Sequence, residues 1–173
     1  MHRIVSDAAL DALFRAAHSH YAWLERPVGD TLLRALYELV KRGPSGVARP
    51  ARLVFVRSAE AKARLAGALP AALRPGLANA PVAAIVGCPR EPGRLAAGGR
   101  EGGLQAACLI LAARALGLDC GPFWEFDAGI VEAAFFPDGT VAAIALCALG
   151  YGDETQPAPA EPRQRFDEAC AIL

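Results

Sequence analysis

Several common chemistries leave no trace in this sequence. There is no CxxC or CxxH pair, no GxSxG, no Walker loop, and no GxGxxG behind a strand. Structural zinc clips, nucleophile elbows, phosphate loops and the dinucleotide fingerprint are therefore not expected. The chain has three histidines, His2, His18 and His20, and no acidic residue at helical ligand spacing from them. No metal site is expected. Charge of either sign is not in excess: 18 Lys and Arg face 18 Asp and Glu. A chain without net charge has no broad basic field to draw nucleic acid or an anionic membrane. The N-terminus lacks a continuous apolar stretch of signal-peptide type, and no uncharged run reaches membrane-spanning length. The five cysteines, Cys88, Cys108, Cys120, Cys147 and Cys170, are scattered and odd in number. They are expected to be free thiols of a reducing, cytoplasmic protein.

What is present suits one domain over 1–173. The chain is 54% apolar and 21% charged. That apolar share is slightly high for a small monomer and points to a partner subunit. Residues 8–17 read as a first helix. Pro27-Val28-Gly29-Asp30 announces a second, with Asp30 as its N-cap and a stripe of Leu32, Leu33, Leu36, Leu39 and Val40. Gly43-Pro44 ends it. Strands are expected at 52–57, 82–86 and 141–149, the last a continuous apolar run that belongs in the middle of a sheet. Helices are expected at 59–69 and 127–135, with a short one from Phe166. Residues 88–103, rich in Gly, Pro and Arg, read as a loop. The stretch 104–126, LQAACLILAARALGLDCGPFWEF, reads as a buried Ala-rich helix that runs into a turn at Gly121-Pro122. Strands with intervening helices imply a sheet layered with helices on its faces.

Three clusters could carry chemistry. His18-Ser19-His20 closes the first helix, either as a solvated cap or as a polar group for an anion. Arg163 and Arg165 are either surface charge or a guanidinium pair that grips a phosphate. Pro44-Ser45-Gly46 is either an ordinary turn or a loop that offers N–H groups and a hydroxyl to a planar ring.

These pieces together resemble the nitroreductase family of flavin-dependent oxidoreductases, within it the malonic semialdehyde reductase branch. RPVGDTLLRALYELVKRGPSGVARPARLVFVRSAEAKARL (26–65) looks like the family's second helix, Gly-Pro-Ser loop and first core strand. LQAACLILAARALGLDCGP (104–122) looks like its central dimer helix and flavin-contacting turn. ALGYGD (148–153) and PRQRFDEAC (162–170) look like its last core strand and C-terminal arm. The resemblance implies a three-layer α+β sandwich with a mixed central sheet flanked by helices, an intertwined homodimer, and FMN at the subunit interface. It also implies NADH or NADPH as hydride donor and a small organic acceptor. The flavin carries the chemistry, so no catalytic dyad is required of the protein.

By position, the resemblance assigns His18, Ser19 and His20 to the phosphate side and Pro44, Ser45 and Gly46 to the isoalloxazine loop. It assigns Gly121, Pro122, Phe123, Trp124 and Glu125 to the turn over the ring. Arg163, with Arg165 beside it, falls at the phosphate-binding arginine. The chain departs from the family pattern in four places. His18 stands where Arg is usual, Val47-Ala48-Arg49 lacks an Asn, Glu125 replaces a Gly, and 88–103 is short. A family-fold dimer without flavin, acting as a binding or structural protein, is the alternative reading. A thiol enzyme using Cys88 or Cys120 is a third; Asp119 beside Cys120 would disfavour its thiolate.

Overall fold

A computed structural model describes residues 4–43, 51–90, 95–156 and 163–173, with 95–100 as backbone only. Its centre is a four-stranded sheet of β1 (Arg52–Val56), β2 (Val82–Pro89), β3 (Asp119–Phe123) and β4 (Val141–Gly150). The strand order is β1-β2-β4-β3, and every pairing is antiparallel. Among the described residues, the expected mixed character is confined to one isolated parallel bridge, between Ser19 and Cys120. The α+β class and the layered arrangement are as expected.

Helices cover both sheet faces. On one, α2 (Asp30–Val40) and α5 (Leu95–Ala115) pack against Val82, Ala84, Val86, Ala145, Cys147 and Leu149. On the other, α3 (Ala59–Ala66), α4 (Arg74–Ala78) and α6 (Ala128–Phe135) pack against Ala83, Ile85, Leu146 and Ala148. Strands clothed on both sides read as unbroken apolar runs, and β2 and β4 do. In β4 the alternation slips by one residue, because Val86 pairs with Ala145 while Gly87 pairs with Ala143. Ile144 is the extra residue of that bulge.

The bulge explains a correction to the expected 88–103 loop. β2 runs on to Pro89, and α5 begins at Leu95, so the Gly-rich segment is helical. Gly102 lies so close to Ile144 that a Cβ there would come within 2.7 Å of the isoleucine carbons. The glycine that reads as a loop signal is a close-packing position at the bulge.

A second correction concerns Gly121-Pro122. Both lie inside β3, not in a turn. Proline lacks the N–H for a second ladder, so it is tolerated on an edge strand, and β3 is an edge. The backbone of Ser19-His20 lies along that edge, with the His20 N–H donating to Cys120 O at 2.9 Å. At the opposite edge, β1 pairs only with β2 among the described strands.

Smaller differences are local. The first helix is four α residues, Asp7–Leu10, followed by a π turn, Asp11–Arg15. Gly29 is the N-cap of α2, and Asp30 is its first-turn acid, where it meets the helix dipole favourably. Helix α3 stops at Ala66, and a 3-10 turn, Ala71–Leu73, precedes α4. Asp127 caps α6, its side chain accepting from the Ile130 N–H. The last helix, α7, is Phe166–Ala169. No helix among the described residues is long and apolar enough to cross a membrane.

Candidate functional site

Residues 18 and 20 lie two apart along the strip beside β3. Extended backbone sends such side chains to one side. The two imidazoles stack at 4.2 Å between ring centroids. His20 is 2% exposed, and its Nδ1 has no hydrogen-bond partner. His18 is partly exposed, with Nδ1 3.2 Å from Ala16 O. His18 thus caps the helical turn, its Nδ1 meeting the carbonyl of the C-cap residue Ala16, whereas Ser19 and His20 lie on the sheet edge.

Three further side chains join them from distant sequence. Helix α5 ends in a Schellman turn: Gly117 has φ +74°, Leu118 N–H donates to Ala113 O, and Gly117 N–H to Arg114 O. That turn delivers Asp119 to the start of β3. Its Oδ2 accepts from Gly152 N–H at 2.8 Å, and its Oδ1 lies 3.6 Å from His20 Nε2. Arg114, in the last turn of α5, donates to Leu13 O at 3.2 Å and reaches His18 O at 3.5 Å. Glu154 comes from the turn after β4. Its Oε2 is 3.7 Å from His18 Nε2 and its Oε1 is 3.9 Å from His20 Nε2.

The Glu154 turn is itself fixed. Asp153 accepts from the Thr155 hydroxyl, the Thr155 N–H and the Gln156 amide. These bonds, the Thr155 hydroxyl foremost, hold its carboxyl below the usual carboxylate range. Antiparallel contacts tie the same turn to the strip: Leu24 N–H to Tyr151 O, Asp153 N–H to Ala22 O, and a Trp23–Gly152 bridge.

A cavity of about 240 Å³ opens among His18, His20, Arg114, Asp119, Gly117 and Glu154. It suits a compact charged group and is too small for a whole nucleotide. Sequence reading missed Arg114, Asp119 and Glu154. Arg114 stands out in the sequence only as a charge that interrupts an apolar helix. Glu154 has no local signal at all.

The remaining expected site residues are less gathered. Gly121 lies beneath the His20 carbonyl, where a Cβ would overlap it. Pro122 O accepts from the Tyr21 hydroxyl at 3.2 Å. Phe123 is core, edge-on to Tyr21. Trp124 is 55% exposed, and Glu125 is exposed beside it. Arg163 and Arg165 are exposed, and no hydrogen bond or ion pair found among the described residues joins either to the histidines. Pro44, Ser45 and Gly46, with Val47–Arg49, lie outside the described residues. A larger open groove, about 820 Å³, runs between α2 and β1, lined by Tyr37, Phe55 and Arg57 among others; none of the expected residues contributes.

Both thiols read as possible nucleophiles, Cys88 and Cys120, are buried, as is Cys147. Burial, with Glu101 nearby, pushes the Cys88 thiol up, and the Cys120 side chain together with burial does the same to Cys147.

No family model matches the chain. It is 41% identical to a protein of Polynucleobacter asymbioticus named NADH dehydrogenase/NAD(P)H nitroreductase, in an alignment that takes in all of both chains. That alignment has 196 positions, so at least 23 of them hold no residue of this 173-residue chain. A protein of the same name from Stenotrophomonas maltophilia is 44% identical, with 99% of this chain and 100% of that one covered. Among solved structures, the nitroreductase YdfN of Bacillus subtilis superposes with a TM-score of 0.84 at 17% identity, over 97% of this chain and 100% of that one. A mutant of the FMN and NADPH-dependent nitroreductase NfnB from a Sphigopyxis strain gives 0.78 at 21% identity, over 97% and 99%.

Proposed function

The chain belongs to the nitroreductase family, and we propose that it works as an FMN-dependent NAD(P)H oxidoreductase passing hydride to a small organic acceptor. The observation that carries the reading is the cavity where His18, His20 and Arg114 converge. Its size and donors fit the phosphate end of FMN. Imidazole and guanidinium N–H groups give charge-assisted bonds to phosphate oxygens. Trp124 and Glu125 stand exposed, and Arg163 is not tied to the histidines. An interface between two copies answers both points: a second chain would bring its C-terminal segment and close the ring's face.

The dimer itself is supported by apolar exposure. Helix α5 buries Ala106, Leu109, Ala112 and Ala113 against the sheet, and leaves Leu104 52% exposed with Ala107 and Ala115 on the same side. The C-terminal Ile172 and Leu173 are almost bare. Apolar residues left this open on a small chain mark an association surface.

Bound FMN would supply hydride transfer between the nicotinamide and the acceptor. The protein's part is to seat the phosphate, orient the ring and exclude water. Flavin titration followed by anaerobic addition of NADH or NADPH tests the reading. Saturable binding and bleaching of the flavin are expected. Arg163→Ala should weaken binding about ten- to a hundred-fold, the worth of one charge-assisted bond, while Arg42→Ala should not.

One observation favours the second reading, a flavin-free family member. Glu154 and Asp119 put two carboxylates where the phosphate would arrive. A protein that binds no FMN at any concentration tested, in the presence of a chelator, would support that reading.

A further inference from the structure

We propose that His18, His20 and Glu154 form a binding site for a divalent transition-metal ion of the zinc, nickel or cobalt type. Asp119 stands beside His20, and one coordination position opens into the cavity. The ion would take imidazole nitrogens that the flavin reading gives to phosphate, so the test uses metal alone, without flavin.

Geometry comes first. One donor atom from each of the three residues lies within 4.8 Å of the others. The separations of 3.7 and 3.9 Å from Glu154 to the two Nε2 atoms are too long for hydrogen bonds. They are close to the ~3.4 Å edge of a tetrahedron built on metal–ligand bonds of ~2.0–2.1 Å. The two separations run to different oxygens of Glu154, and the three donor atoms, one per residue, must draw in from within 4.8 Å to close the shell. Glu154 is 73% exposed and free to make that adjustment.

Proton placement points the same way. His18 Nδ1 faces the Ala16 carbonyl, which takes its N–H. In the neutral ring Nε2 then presents a lone pair to a carboxylate oxygen. A cation between them would take both the nitrogen and the facing oxygen as ligands. A backbone carbonyl on the far nitrogen is also the arrangement that orients metal-binding imidazoles.

His20 gives the second, independent support. It is 2% exposed, and its Nδ1 lies unpartnered against Gly152. Its Nε2 is the ring's only polar outlet, and it points at Asp119 and Glu154. With Nδ1 buried and unpartnered, Nε2 is the nitrogen left to meet a ligand.

The donor set selects the ion. Imidazole with carboxylate suits borderline metals; magnesium and calcium prefer all-oxygen shells. No thiolate takes part, since Cys120 Sγ is directed at Ile110 O. A divalent ion would also offset the carboxylates of Glu154 and Asp119.

The test uses full-length, chelator-stripped protein without flavin. Zn²⁺ is titrated by calorimetry, and Co²⁺ by its visible absorption, which reports coordination geometry. One equivalent should bind, with a low-symmetry Co²⁺ band. His18→Ala and Glu154→Ala, both at partly exposed positions, should each weaken binding about tenfold or more. Cys170→Ser, which removes the exposed thiol, should change nothing. The proposal fails if no saturable equivalent binds, if Glu154→Ala binds as wild type does, or if Cys170→Ser abolishes binding.

Discussion

The imidazole of His20 rests on the backbone of Gly152, with no room for a Cβ between them. This contact joins the strip before α2 to the turn after β4, and it fixes the ring that faces the cavity. Gly152→Ala should therefore destabilise the fold by about 1–3 kcal/mol, the cost of overpacking a filled site. A shifted urea midpoint with unchanged slope would register it. Midpoints equal to wild type would mean that the ring moves aside freely.

Glu154 opposes any anion that approaches His18 and His20. In chelator-treated protein Glu154→Gln should tighten FMN by about fivefold, matching the ~1 kcal/mol of one nearby charge in a solvated setting. Quenching of flavin fluorescence on binding measures it. A weaker complex would mean that the phosphate does not use this cavity.

Leu104→Asp should split the proposed dimer without unfolding the chain, because the side chain is half exposed on α5. Light scattering at micromolar concentration would then report a single chain, with helical content retained by circular dichroism. A wild-type protein that already scatters as a monomer would contradict the proposed interface.

Thiol chemistry should be confined to one residue. Cys170 is exposed, whereas burial raises the Cys88 and Cys108 thiols above their ordinary range and Cys147 lies deeper still. A raised thiol carries less thiolate at a given pH. With a disulfide reagent near pH 8, one equivalent should react fast and the others only on unfolding. Fast reaction of two or more thiols in native protein would sink this.

Local signals made much of the fold legible. Asp127 caps α6, Gly117 ends α5, and the apolar run at 141–149 is the interior strand β4. Where reading failed, tertiary contacts overrode local signals. Gly102 reads as loop until Ile144 is seen packed on it. Gly121-Pro122 reads as a turn until β3 is known to be an edge. For the site, His18 and His20 were visible as a pair. Asp119 and Glu154 were not, because the Schellman turn and the Asp153 turn bring them in from far along the chain.

The two margins of the sheet differ in their capacity for growth. The β3 margin carries Pro122 and is shielded by Ser19-His20, so another strand has nowhere to dock there. The β1 margin pairs only inward among the described strands. A sheet with one margin unpaired among the described strands can be extended once there. Two copies that met through β1 would use up both free margins and leave none to propagate, so lengthening of the sheet would end in a closed pair rather than a fibre.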